Sequence, residues 1–114
     1  MRPPVFLALL NLSLILAAAC RLPPAAKPLL DGVAAARSNS WEEAARQWKK
    51  ALDLDPESAA AHNNLAVAYE KQGAFDEARK EYEAALRLDP RNATIKDNFE
   101  KFKARLGTGR GRRP

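Results

Sequence analysis

Cys20 and His62 are the only cysteine and the only histidine in this chain of 114 residues. A structural zinc site takes four thiolate or imidazole ligands and a catalytic one takes three protein ligands, so these two side chains cannot assemble either. Acids stand close together at Glu42-Glu43, Asp53 with Asp55, and Asp76-Glu77, and two carboxylates can share acid–base work across a substrate. Glu42-Glu43 and Asp76-Glu77 fall at the start of an amphipathic stretch, where a carboxylate complements the helix dipole, and Asp53 with Asp55 falls at the end of one, leading into a turn. The glycines at 107, 109 and 111 follow the last apolar segment and precede none; a phosphate-cradling loop needs the reverse order. No nucleophile sits beside a base. The expectation is a chain that is not an enzyme, with no cofactor and no metal. Asn92-Ala93-Thr94 has the form of a glycosylation acceptor, but Asn92 suits the cap of a last helix better.

The remaining chemistry is the thiol of Cys20, and the segment before it says how it would be used. Arg2 gives a positive start, Val5 to Ala19 is apolar apart from Asn11 and Ser13, and Ala17-Ala18-Ala19 supplies small residues for cleavage. This is the layout of a secretory signal over residues 1–19, and it falls short of the roughly 20 apolar residues that span a bilayer. Cys20 would become the new N-terminus, as an exported thiol with no disulfide partner. The junction resembles the lipobox of bacterial lipoproteins, which implies lipidation at Cys20 and membrane anchoring. Arg21 after it resembles the signal for sorting to the outer membrane. Ala17 stands where that family usually has Leu, so plain cleavage to a periplasmic or secreted protein is the alternative. Residues 20–27, with paired prolines at Pro23-Pro24, read as a short extended tether.

The elements behind this leader repeat themselves. Trp41 aligns with Phe75, Glu43 with Glu77, Ala44 with Ala78, Trp48 with Tyr82, Ala51 with Ala85, Leu52 with Leu86, Leu54 with Leu88 and Asp55-Pro56 with Asp89-Pro90, all at one constant offset. Apolar residues at helical spacing predict helices at 28–37, 41–54, 58–72, 75–88 and 93–106. Ser40 with Glu43 reads as a capping box, Asp55-Pro56 as a helix stop, Gly73 as a turn, and Gly107 as the end of the last helix.

The period and its residues resemble the tetratricopeptide repeat family. The resemblance implies an all-α array of helical hairpins: repeat 1 at about 25–58, repeat 2 at 59–92, and a capping helix at 93–106, within a domain spanning 28–106. In that family the first helix of each repeat lines a concave groove that holds a protein or peptide ligand. The positions carried over are Val33 and Arg37 in repeat 1 and Asn63, Asn64, Val67, Glu70 and Lys71 in repeat 2. Some relatives grip a terminal carboxylate with Lys, Asn and Arg. Here Asn64 matches one member of that set, while Leu29, Val33, Thr94 and Asn98 stand in the other places, so the clamp is not expected. His62 stands where the family often has a large residue near the helix start, which implies a packing role. Together with the leader, the resemblance implies a non-catalytic scaffold or adaptor of the bacterial cell envelope.

The net charge of +5 is unevenly spread. From Arg91 onward eight bases face only Asp97 and Glu100, so the rest of the chain is close to neutral. The basic tail at 107–114 is expected to be flexible and solvated; the alternative is a surface binder using it on anionic lipid or polysaccharide. No aromatic residue is interleaved among Arg110, Arg112 and Arg113, so nucleic acid is not an expected partner. About 80 residues and two repeats sit near the lower limit for independent stability. Either the domain is marginal alone, or a second copy covers Leu29, Leu30 and Val33 to make a homo-oligomer.

Overall fold

The computed structural model describes residues 21–110. The expected signal segment, Cys20 and residues 111–114 lie outside them. The described residues form five α-helices and no strand: α1 (Ala26–Arg37), α2 (Trp41–Leu54), α3 (Ala59–Lys71), α4 (Phe75–Leu88) and α5 (Ala93–Arg110). None is long and apolar enough to cross a membrane. Consecutive helices pack as antiparallel hairpins, with α3 lying against both α2 and α4.

The turns repeat with the sequence. Asn39 and Gly73, one period apart, both take positive φ, at 57° and 77°. Asn and Gly are the residues that enter this left-handed region at low cost. Each closes the same Schellman turn: Asn39 N–H donates to Ala36 O and Ser40 N–H to Ala35 O, while Gly73 N–H donates to Glu70 O and Ala74 N–H to Tyr69 O. Between the hairpins, Asp55 and Asp89 leave helical geometry at φ −143° and −139°, as residues before proline do. Ser58 Oγ then accepts from Ala61 N–H, and Asn92 Oδ1 accepts from Ile95 N–H, each at 3.1 Å. Asn92 is thus the cap of α5.

Two local expectations are corrected. Ser40 makes no side-chain cap to α2; it already closes the α1 turn, and its ψ of 68° matches the 70° of Ala74, which has no side chain to cap with. Glu43 instead accepts from Gln47 at 2.7 Å and pairs with Arg46. Gly107 does not stop α5, which runs on to Arg110. A glycine costs a helix only about 1 kcal/mol relative to alanine, and no proline follows closely enough to enforce a stop. The tail expected at 107–114 is therefore helical over its first four residues.

Two cores fill the stack. Ala44, Ala45, Trp48, Leu65 and Ala68 form the first, with Leu29 and Val33 packed against it. Leu29 and Val33 thus face inward, and Leu30 is the exposed apolar residue of α1. Ala66, Ala78, Tyr82, Phe99 and Phe102 form the second. Here Tyr82 stacks on Phe99 at 5.4 Å between ring centroids and tilts against Phe102 at 5.4 Å. Phe75 is half exposed and meets the edge of the cluster through Phe102, at 6.3 Å.

Candidate binding groove

The side of the stack formed by α1, α3 and α5 is hollowed into a cavity of about 440 Å³. The first of these helices supplies Val33, Ala36 and Arg37, the second Asn63, Asn64 and Val67, and the third Thr94 and Asn98; Trp41 and Trp48 of α2 complete the lining. Helical spacing explains the convergence. Val33, Ala36 and Arg37 lie three and four residues apart on α1, as do Asn63, Asn64 and Val67 on α3, so each helix turns one face to the hollow.

Of the residues marked out in sequence, Val33, Arg37, Asn63, Asn64 and Val67 meet in this cavity. Glu70 and Lys71 do not line it. Glu70 turns to the α4–α5 side, where one carboxylate oxygen accepts from Tyr82 OH at 3.0 Å and the other pairs with Arg105 at 2.7 Å. Its side chain is only 9% exposed. Burial, then the Glu70 charge, push the Tyr82 phenol above its ordinary range, while Arg105 works in the opposite direction. Lys71 holds its ammonium 5.6 Å from the Trp41 ring centroid, a cation–π distance.

The polar wall of the cavity is a relay of amides. Asn98 Nδ2 donates to Asn63 Oδ1 at 3.2 Å, and Asn63 Nδ2 reaches Asn64 Oδ1 at 3.5 Å. Asn63 is buried, while Asn64 and Asn98 are half-buried. With their mutual bonds made, the two outer amides retain polar atoms for a ligand. Asn98 was named in sequence only as a clamp place without the matching residue, not as a groove amide. The available signal was its place one full period after Asn64, which puts it on the equivalent face of α5. Trp41 and Trp48 stood out in the sequence only as the aligned aromatics of the repeat.

His62 does more than pack. Its Nδ1 lies 2.6 Å from a Glu81 carboxylate oxygen and its Nε2 lies 2.9 Å from the Pro56 carbonyl. It ties α3 to α4 and to the turn between the hairpins. Among the described residues no group of three or more His, Cys, Asp or Glu side chains is placed to hold a metal ion.

Comparison with known proteins agrees with this architecture. A tetratricopeptide repeat family model matches residues 29–93, more than half of the chain. The chain belongs to the tetratricopeptide repeat family. No curated protein matches it. Among solved structures, 57 chains match. One is the NMR structure of the second tetratricopeptide domain of the human RPAP3 protein in complex with the HSP70 peptide SGPTIEEVD. It aligns with a TM-score of 0.68 and 26% identity, covering 71% of this chain and 68% of that one. The tetratricopeptide array thus has a structural neighbour that holds a peptide.

Proposed function

We propose that this chain is a non-catalytic adaptor whose repeats hold an extended segment of a partner protein in the α1/α3/α5 cavity. The observation that carries this reading is the cavity itself, where the first helices of the two hairpins and the closing helix α5 present apolar floor and amide wall on one side of the stack. Such a surface suits a chain segment whose side chains need apolar cover and whose backbone needs hydrogen-bond partners. The peptide bound by the RPAP3 domain supports the same use here. The experiment is site-specific photo-crosslinking in the native cell. A photoreactive residue replacing Val67 should capture a partner, and one replacing Glu83, exposed on α4, should not. Equal capture from both positions would defeat the reading.

We further propose that the adaptor works in the bacterial cell envelope, exported by residues 1–19 and anchored as an outer-membrane lipoprotein through Cys20. The support is the order of Arg2, the apolar run, Ala17-Ala18-Ala19 and Cys20. Mass spectrometry of the mature N-terminus tests it. An acylated Cys20 is expected; an intact Met1 would overturn export, and a free Cys20 would overturn the anchor.

A further inference from the structure

The cavity has one charged lining residue, Arg37, and it stands on the exposed rim. Arg37 makes no ion pair among the described residues, so its guanidinium has no carboxylate to leave before it meets a ligand. The other lining residues are aliphatic, aromatic, amide or, at Thr94, hydroxyl, and none carries a charge. A carboxylate seated among them would give up part of its hydration with no cation beside it, and desolvating an unpaired charge is unfavourable. A neutral aliphatic side chain placed there gains from leaving water. A backbone amide beside it finds the outer groups of the Asn64–Asn63–Asn98 relay.

Resting on the peptide reading above, we infer the chemistry of the occupant: an internal segment of an extended chain, not a chain end, with one aliphatic side chain on the Val33–Val67 floor and an acidic side chain nearby at Arg37. The acid is accepted at the rim because water still screens it there and Arg37 supplies the counter-charge. A terminal carboxylate seated on the floor itself has no such counter-charge.

Two peptide libraries displayed against the full chain test this. One carries random segments held between Gly-Ser linkers, and the other carries random segments with a free C-terminus. The linker-held library should enrich sequences in which an aliphatic residue lies within about two positions of Asp or Glu, the reach of an extended backbone. Arg37→Gln should remove the acidic preference and weaken an enriched synthetic peptide by about two- to five-fold, as an exposed ion pair does, while the aliphatic preference stays. Enrichment only from the free-ended library would overturn the inference and leave the peptide reading intact. So would an acidic preference that survives Arg37→Gln. No enrichment from either library would overturn both.

Discussion

Trp48 and Tyr82 fill the same place in consecutive hairpins, and each is matched to the residue facing it. Trp48 packs with Ala44, Leu65 and Ala68; one period on, Tyr82 packs with Ala78, Phe99 and Phe102. Facing the first ring is Gly32, where an added Cβ would lie 2.3 Å from Trp48 Nε1. Facing the second, at the equivalent position, is Ala66, fully buried in the same core as Tyr82. The larger indole needs the glycine and uses the space to donate to Leu29 O at 3.1 Å.

That matching can be tested by exchange. Gly32→Ala should displace the indole and cost about 1–3 kcal/mol, the usual range for overpacking. Adding Trp48→Tyr, which copies the Ala66–Tyr82 pair, should recover most of the loss. Urea unfolding of the two single variants and the double variant gives the coupling. Simple additivity would show that the two rings are not in equivalent settings.

Tyr82 should give the array an alkaline limit. Its phenol is raised above the ordinary value of 10.0 by burial first and by Glu70 second. The folded state therefore keeps this proton after the unfolded chain has lost it. The associated stability is whole below about pH 10 and falls as pH rises further. Tyr82→Phe should cost about 1 kcal/mol at neutral pH through the lost hydrogen bond and should decline less between about pH 9 and about pH 11. Parallel declines for the two proteins would show that another group sets the limit.

His62→Ala should loosen the junction between the hairpins. It removes contacts to both Glu81 and the Pro56 carbonyl, at a cost of about 1–3 kcal/mol. Amide exchange should quicken first at the start of α3. Unchanged protection there would mean that the imidazole is dispensable.

Gly107→Ala tests the continued α5. No atom lies within 4 Å of a Cβ built at Gly107, so the substitution meets no obstacle. It should raise helix content by circular dichroism and stabilise by about 0.5–1 kcal/mol. A loss of helix would restore Gly107 as a terminator.

The helices and their repeat were legible because the residues that end them act locally. Asp55-Pro56, Asp89-Pro90 and Gly73 impose backbone geometry on their immediate neighbours, and the aligned aromatics mark the packed faces. The groove was legible only in part. Val33, Asn64 and Val67 follow from helical phase, but the direction taken by Glu70 depends on Tyr82 and Arg105, which reach it only once α4 and α5 have packed. The capping box at Ser40 failed for a related reason, because the residue is shared between two turns. The pattern of Ser and Glu three apart does not register that conflict.

A peptide held in the α1/α3/α5 cavity would perturb the backbone amides of the residues that line it. The most direct measurement is amide chemical-shift mapping of the ¹⁵N-labelled protein titrated with a library-selected peptide. The largest shifts should fall on Val33, Asn64, Val67 and Asn98. Shifts centred instead on exposed residues of α4 such as Lys80 and Glu83, or on the basic C-terminus, would contradict it.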